Sequence, residues 1–392
     1  MAAEELSYVL INPYTLRKSR TGGIIARLLS RTALDLAATR MFAPSKELVQ
    51  EYAATFKDGA HGGGRNDKTR QLIHDYILAN YMPEADGSRH RVLMLLFRGE
   101  GAVEKVRECV GDVSYRSVTG ESVRDTYGDY IVAGDGLVRY FEPAVLAPET
   151  LDEAMMTVKI WGRRSDADGG LLENVLPCPR TAKTQRTLVI IKPDNFTFPS
   201  GKAGRVIDMF SKTGLYMVAV KTQQMSVAQA EEFYGPVLPV LREKLSDVAA
   251  KKSAGVLSKE FGFDLPSETV SKLGSLVGPL FAQNQFESIV EFMSGHRPSQ
   301  VPAADKQKPG STKSVVIVYE GEDAVAKVRN VLGPTDPRKA PPGSIRREFG
   351  QDIMVNAAHA SDSVENARRE MGILRVAENN LKKVIEECYG KC

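Results

Sequence analysis

The 392-residue sequence predicts an α+β protein that contains two copies of one domain, each with an antiparallel sheet and helices packed on it. The first observation is an internal repeat, in which the stretch beginning at Phe97 resembles the stretch beginning at Tyr319. Matching residues stay 222 positions apart along this repeat, as with Arg124 and Arg346. The second observation is that short apolar runs alternate with stretches of helical periodicity. Ordered matches at one spacing indicate a duplicated domain.

The second copy predicts elements in the order of the split βαβ, or ferredoxin-like, plan. Its first strand is a short apolar run that ends at Pro193, and Gly214 and Gly333 follow the two helical stretches as typical C-terminal stops. In the first copy, residues 24–29 and 103–110 show the same helical spacing. The strands of the second copy are predicted at 188–191, 215–222, 315–319 and 353–355, and its helices at 204–213 and 323–332.

These elements divide the chain into a first domain at residues 1–161 and a second domain at residues 185–392. The segment between them, residues 162–184, is rich in Gly, Asp, Arg and Pro and is predicted to be a linker. A helical-looking insert at residues 235–283 enlarges the second domain. We therefore expect two ferredoxin-like domains in tandem.

Composition limits the function classes that need to be considered. The formal net charge of +3 is small for this length, and no basic stripe with interleaved aromatic residues is present, so binding to nucleic acid or to a membrane surface is not expected. Four scattered cysteines are typical of a reducing compartment. No apolar run reaches membrane-spanning length, and the first residues lack the basic start of a signal peptide. The sequence therefore predicts a cytoplasmic protein.

The stretch from Asn356 to Glu370 is the strongest candidate for chemistry. Asp362 and Glu365 have the spacing of a capping box, so His359 is predicted to lie just ahead of a helix N-terminus. Unpaired backbone N–H groups and the helix dipole favour phosphate at such a position, and an imidazole can accept a phosphoryl group covalently. The alternative is that a lone histidine near a helix start is a surface or core residue.

Four segments together carry a resemblance to a known family: 186–194, 333–337, 342–346 and 356–363. In this order they are similar to the motifs of nucleoside diphosphate kinases, and the similarity covers residues 186–375, about half of the chain. Residues 1–161 resemble a degenerate relative of the same domain. The resemblance implies a ferredoxin-like domain that moves the terminal phosphate of a nucleoside triphosphate to a nucleoside diphosphate. It also implies a phosphohistidine intermediate, formed by a ping-pong mechanism with Mg²⁺.

The resemblance assigns roles to individual residues. His359 is expected to be the nucleophile, oriented by Glu370 with support from Ser361. The phosphates are expected to meet Lys192, Arg329 and Arg346, together with the Thr335 hydroxyl, and Asn356 to hold the sugar hydroxyl. Tyr234 is expected near the histidine and Phe286 against the base. Mg²⁺ is expected to be held mainly by the nucleotide phosphates and water, with no metal site of protein ligands.

Alternatives remain open for several of these residues. Phe286 is about as well explained as a core residue, because Ile289, Val290 and Phe292 surround it in sequence. Each of the predicted phosphate-binding cations could singly be a solvated surface charge. The first copy lacks the chemistry, with Asn12 in the place of Lys192 and Phe141 in the segment that corresponds to His359.

The resemblance also sets expectations about partners. Nucleoside triphosphates and diphosphates are the expected ligands, and a homo-oligomer is the expected assembly. The second hypothesis is a regulatory or scaffold protein that binds nucleotides without turning them over. A third, binding to nucleic acid, is disfavoured by the small net charge.

Overall fold

A computed structural model describes residues 4–57, 65–113, 120–134, 137–173, 175–176 and 180–392. The chain forms two compact units, one made of residues 1–222 and 315–392 and the other of residues 223–314. Within the ranges described, no helix is long and apolar enough to span a membrane. The first unit contains every strand of the large sheet apart from two terminal residues.

The elements of the first half of the chain alternate between short strands and helices. They are β1 (Glu5–Ile11), α1 (Pro13–Arg17), α2 (Thr21–Thr32), β2 (Asp35–Phe42), α3 (Lys46–Ala54), α4 (Asp67–Tyr81), β3 (Arg89–His90), β4 (Val92–Gly99), α5 (Ala102–Val110), α6 (Val123–Tyr127), β5 (Asp129–Val132), β6 (Val138–Glu142), β7 (Val145–Leu146), α7 (Leu151–Asp168) and β8 (Val175–Leu176).

The second half follows the same alternation, interrupted by the helices of the second unit. Its elements are β9 (Thr184–Ile191), α8 (Lys202–Met209), β10 (Tyr216–Gln223), α9 (Val227–Tyr234), α10 (Val237–Phe261), α11 (Ser267–Ser294), β11 (Ser314–Glu322), α12 (Ala324–Leu332), α13 (Ile345–Phe349), β12 (Ala358–Ala360), α14 (Val364–Ile373) and α15 (Leu381–Tyr389). A short 3₁₀ segment, Phe210–Thr213, continues α8.

Eight strands form one sheet in the order β12-β9-β11-β10-β2-β4-β1-β7. Strands β12, β9, β11 and β10 come from the second half, and β7, β1, β4 and β2 repeat that order in the first half. The pairs β1·β4, β9·β11 and β9·β12 are antiparallel. The predicted α+β class with antiparallel strands is therefore confirmed. Each half has the strand order of the split βαβ plan, and the two half-sheets join at β2 and β10.

Two details near His359 differ from the sequence-based prediction. The last strand is not residues 353–355 but β12, with His359 at its centre. The chain turns at residues 353–355 because the Asp352 carboxylate accepts hydrogen bonds from the N–H groups of Met354 and Val355, each at 2.7 Å. The N-cap of α14 is Ser363, whose Oγ accepts from the Asn366 N–H at 3.0 Å. The Asp362 carboxylate instead accepts from the Asn366 side chain at 2.6 Å.

The predicted linker at 162–184 begins inside a helix, because α7 continues to Asp168. Buried polar contacts hold this end of α7, and its polar residues give no apolar periodicity from which a helix could be predicted. The Asp168 carboxylate is 4% exposed and accepts from Ser45 Oγ at 2.6 Å and from Arg89 at 3.1 Å. Residues 174 and 177–179 of the predicted linker lie outside the described ranges. The predicted insert at residues 235–283 contains α10 and the first part of α11.

The two halves of the first unit join through both the sheet and a helix pair. Helices α2 and α8 cross with Gly22 and Gly204 at the contact, where a Cβ on Gly204 would lie 2.2 Å from the backbone nitrogen of Ala26. In the sheet, Lys221 on β10 lies directly opposite Arg40 on β2. A larger residue at Gly204 would therefore force the two helices, and with them the halves, apart.

Two buried cations face each other across this join, and backbone carbonyls solvate both. The Lys221 ammonium is 6% exposed and donates to the carbonyls of Leu374 and Arg375 at 3.2 and 2.8 Å. The Arg40 guanidinium donates to the carbonyls of Ser165, Gly169 and Glu378. Burial lowers the pKa of Lys221 to about 8 and that of Arg40 to about 10.

This pair predicts that the protein gains stability as the pH rises above 8. The folded-state pKa of Lys221 is about 8, below its unfolded value, so between these values the unfolded chain binds more protons and folding is favoured by higher pH. The free energy of unfolding should rise by at most about 1.4 kcal/mol per pH unit for this one group. Urea unfolding at pH 7.5, 8.5 and 9.5 measures the slope. Lys221→Met should reduce it, and Lys212→Met, at an exposed position, should not; an unchanged slope in Lys221→Met contradicts the prediction.

Candidate active site

His359 lies at the centre of β12, opposite Ile190 of β9, and its side chain is 21% exposed. The chain enters this strand through Ala357, whose φ of 68° is in the left-handed region. The Ala357 carbonyl accepts from the Lys192 N–H at 3.0 Å, so the end of β9 is tied to the start of β12. The sheet thus places the imidazole two residues from this tie, half-buried at the edge of the sheet.

A buried carboxylate holds the imidazole from α14. His359 Nε2 lies 3.1 Å from Oε2 of Glu370, whose side chain is 7% exposed. The same oxygen accepts a hydrogen bond from Ser361 Oγ at 2.5 Å, and Ser361 is fully buried. When Nε2 carries the proton that it donates to Glu370, the lone pair of the neutral imidazole is on Nδ1. The structure therefore brings His359, Glu370 and Ser361 together.

Lys192 follows β9 and is buried beside the turn that precedes His359. Its Nζ donates to Oδ1 of Asn356 and to the carbonyl of Met354, both at 2.8 Å. Burial, and secondarily the positive charge of Arg346, lowers the pKa of Lys192 to about 8. The ammonium therefore loses its proton at a lower pH than an exposed lysine does, unless an anion approaches it.

Asn356 anchors this cation rather than facing solvent. It is 1% exposed, and its Nδ2 donates to the carbonyls of Ile353 at 2.7 Å and of Thr335 at 3.2 Å. Both Nδ2 hydrogens are used in these bonds, so the predicted contact with a sugar hydroxyl falls to the second lone pair of Oδ1. Sequence reasoning missed this tethering role, since a lysine–asparagine contact across 164 positions leaves no local signal.

The predicted arginines differ in their exposure. The Arg346 guanidinium donates to the carbonyls of Gly333 at 3.0 Å and of Ala358 at 3.2 Å, next to His359. Arg329 is exposed in the last turn of α12, and across the described ranges its guanidinium has no hydrogen bond or ion pair. Thr335 is exposed as well. Arg346 is therefore a fixed charge at the strand end, and Arg329 and Thr335 are side chains that an approaching ligand can meet.

The two remaining predicted residues belong to the second unit. Tyr234 is the last residue of α9 and is 9% exposed. Phe286 lies on α11 and is 6% exposed, in line with the buried residues Ala282 and Val290 on the same helix. The burial of the Phe286 ring favours the core alternative over stacking against a base, because a stacking platform needs an exposed face.

The first half of the chain carries other side chains at the positions that correspond to His359 and its neighbours. The register β1·β7 pairs Leu10 with Leu146, as β9·β12 pairs Ile190 with His359, so Leu146 and not Phe141 occupies the histidine position. The sequence offset is 213 here and not 222, because the β5–β6 hairpin lengthens the first copy. The prediction that Phe141 takes the place of His359 in the first half was wrong for that reason.

The other catalytic-site positions of the first half are also replaced. The offset of 213 puts Thr157 in the place of Glu370. Arg65 lies beside this strand end, with its Nε 2.9 Å from Glu149 and its Nη1 2.7 Å from Glu153. Its Nη2 donates to the carbonyl of Ala147 at 2.9 Å. The first half therefore carries a buried ion-pair cluster beside the strand that corresponds to β12.

Protein ligands for a metal are not part of this arrangement. Among the residues that the structure describes, no group of three or more His, Cys, Asp and Glu side chains could hold a metal ion. The cations around His359 suit phosphate oxygens, and a divalent ion brought in on those phosphates can keep water as its other ligands. The residues present therefore fit a Mg²⁺–nucleotide complex better than a resident metal.

This fold and this histidine, held by a carboxylate beside buried cations, define an α+β enzyme of the phosphate-handling class. The family model that matches is "Nucleoside diphosphate kinase", over residues 185–238 and 281–379. Nucleoside diphosphate kinase of Helicobacter pylori (strain Shi470) is 32% identical over 195 residues, which are 50% of this chain and 98% of the relative. That of Campylobacter hominis is 33% identical over 187 residues, 48% of this chain and 92% of the relative. The chain belongs to the nucleoside diphosphate kinase family.

The solved structures include an Aquifex aeolicus nucleoside diphosphate kinase, which is 29% identical, covers 51% of this chain and 98% of its own, and has a TM-score of 0.30. Between the two stretches that match the family model, residues 239–280 have no counterpart. This gap falls within the predicted insert, on the helices α10 and α11. The enlargement of the second copy is thus a departure from the family model.

The low pKa of Lys192 predicts how phosphate binding depends on pH. Only the protonated ammonium attracts a phosphate, so affinity for tripolyphosphate should be level below pH 8 and fall by roughly tenfold above it, as the charge-assisted bond is lost. Titration calorimetry at pH 7, 8 and 9 measures this. Lys192→Met should bind more weakly at pH 7 and show a flatter profile, which controls for ionisation of tripolyphosphate itself. Equal pH profiles in the two proteins count against the prediction.

Proposed function

We propose that this chain is an active nucleoside diphosphate kinase that uses His359 as its covalent phosphoryl carrier. The observation that supports this most directly is the relay from Ser361 through Glu370 to His359, with bonds of 2.5 and 3.1 Å. Both partners of the imidazole are buried, so the ring is held in one orientation. A structural histidine of ordinary kind does not need two buried polar partners in series.

The reaction follows from the lone pair on Nδ1. Nδ1 attacks the γ-phosphorus of the nucleoside triphosphate in line, an N–P bond forms, and the bond to the bridging oxygen breaks with its electrons on the departing diphosphate. The positive charge that develops on the ring is stabilised by the Glu370 carboxylate through Nε2–H. A second nucleoside diphosphate then takes the phosphoryl group by the reverse step. Mg²⁺, when bound on the phosphates, offsets their charge.

The cations around the ring have distinct parts in this proposal. Lys192 and Arg346 are held beside the turn and strand that carry His359, where they can neutralise the transferred phosphate. Arg329 and Thr335, which are exposed, are suited to meet the incoming nucleotide phosphates. Binding of phosphates by backbone-anchored cations does not read the base. Cytoplasmic location, homo-oligomer formation and the inactivity of the first copy stay predictions.

Replacement of the nucleophile tests this proposal. His359→Ala should lower kcat for transfer from ATP to dTDP by several orders of magnitude and abolish acid-labile labelling by γ-³²P-ATP, with nucleotide binding largely kept. The matched control is His90→Ala, because His90 also pairs with a glutamate, at 3.0 Å, and is similarly exposed at 22%. The label should map to His359 as the Nδ1-phosphoryl isomer, with none on residues 1–161. Near-normal transfer by His359→Ala contradicts the proposal, and nucleotide binding without any label in the wild type favours a regulatory or scaffold role.

The two residues behind the imidazole should have graded effects. Glu370→Ala removes the partner of Nε2 and should lower kcat by roughly 10- to 100-fold. Ser361→Ala leaves the carboxylate in place and removes one of its hydrogen bonds, so its effect should be smaller, at most about tenfold. Pre-steady-state phosphorylation of His359 by ATP measures both. If Ser361→Ala slows phosphorylation more than Glu370→Ala does, the carboxylate is not what positions the ring.

A further inference from the structure

A cavity in the first unit, away from His359, lies where the two halves meet. Its volume is about 340 Å³, and residues of both halves line it, among them Leu16 of the first half and Phe210 and Met217 of the second. The pairing of Lys221 with Arg40 defines the register of β10 against β2. In this register β2 ends at Phe42, so Tyr216 and Met217 of β10 have no residue of β2 opposite them. The cavity therefore exists because β2 is too short to cover the beginning of β10.

A buried hydroxyl on the wall of this cavity has no partner. Tyr319 on β11 is 2% exposed, lines the cavity, and its hydroxyl makes no hydrogen bond with any of the residues that the structure describes. Burying an unsatisfied hydroxyl costs about 1–3 kcal/mol, and such groups in folded proteins ordinarily have a partner. Thr187, which lies opposite Tyr319 on β9, does not supply one. A ligand atom that accepts a hydrogen bond here would remove this cost.

Two arginines give the cavity a positive charge. Arg91 is 4% exposed and is held by a bond from Nη1 to the Met217 carbonyl at 2.6 Å and by the face of the Tyr216 ring, 5.2 Å away. Arg17 is exposed and lies over the ring of Tyr14, with no ion pair to any acidic side chain of the described ranges. One cation is thus fixed in the wall and the other is on an exposed side chain, while the remaining lining mixes apolar side chains with the hydroxyls of Ser19, Thr21 and Ser211.

We propose that this cavity binds a small organic anion, with an aromatic or branched apolar body between Leu16 and Phe210 and its anionic group toward Arg17 and Arg91. Small-molecule sites usually combine apolar side chains with a few convergent polar groups, as Leu16, Phe210 and the two arginines do here, and this volume suits a body of one or two rings. The Tyr319 hydroxyl donates a hydrogen bond to an oxygen of the ligand. The site is independent of His359 and of the function proposed for it.

The methyl group of Met217 provides a local probe of this cavity. The protein is labelled with ¹³C-methyl methionine, and 2-naphthoate, 2-naphthyl phosphate and the neutral 2-naphthamide are titrated in separate arms. At least one of the two anions should shift the Met217 methyl signal saturably and more tightly than the amide does. The ratio between carboxylate and phosphate identifies the anionic group. If neither anion gives a saturable shift, or if the amide binds as tightly as both anions, the cavity holds water only and the proposal is overturned.

Variants separate a built site from general adhesion of naphthyl compounds. Arg17→Gln should weaken binding of the preferred anion by about two- to fivefold, as expected for one exposed charge. The matched control is Lys18→Gln, since Lys18 also lies over the Tyr14 ring but does not line the cavity. Tyr319→Phe should weaken binding by about two- to tenfold without destabilising the free protein, because the hydroxyl has no partner there. Equal affinities of Tyr319→Phe and the wild type, or equal losses in Lys18→Gln and Arg17→Gln, overturn the proposal.

Discussion

One backbone hydrogen bond organises the candidate site, the one from the Lys192 N–H to the Ala357 carbonyl. It brings the end of β9 to the start of β12, so that Lys192 lies near His359 although 167 positions separate them in sequence. Ala357 has to adopt a left-handed φ of 68° to present this carbonyl, a conformation that a residue with a Cβ adopts only at a cost. The first half keeps the same device, with Asn12 bonded to the carbonyl of Ala144.

The two halves share a backbone arrangement around the histidine position but differ in the side chains there. Ala144 has a φ of 61°, and Arg124 reaches the carbonyls of Gly111 and Val145 as Arg346 reaches those of Gly333 and Ala358. The framework is therefore the same, while the histidine position is Leu146. In its neighbourhood Arg65 forms buried ion pairs with Glu149 and Glu153, and breaking such a cluster costs about 3–5 kcal/mol. These side chains form ion pairs in the first half, whereas His359 and Lys192 occupy the corresponding part of the second half.

Prediction from sequence succeeded where periodicity or a motif carries the information and failed where one side chain decides. The repeat at an offset of 222, the strand order and the grouping of His359 with Glu370 could all be predicted. The true counterpart of His359, Leu146, could not, because the β5–β6 hairpin changes the offset within the repeat. Residues 353–355 have the apolar character of a strand, but the Asp352 carboxylate accepts hydrogen bonds from the N–H groups of Met354 and Val355. The apolar neighbours of Phe286 in the sequence are compatible with a buried ring, but only the packing of α11 shows that the ring is buried.

Lys192 and Lys221 are both buried lysines, but the groups that accept their hydrogen bonds differ. Burial lowers the pKa of both to about 8. Lys221 donates only to backbone carbonyls just beyond α14, which complement its charge and cannot turn away. One acceptor of Lys192 is the side-chain amide of Asn356, a neutral group that binds an ammonium less strongly than a charged phosphate oxygen does. The phosphate then restores the charged form that burial disfavours, so binding strengthens the cation on which it depends.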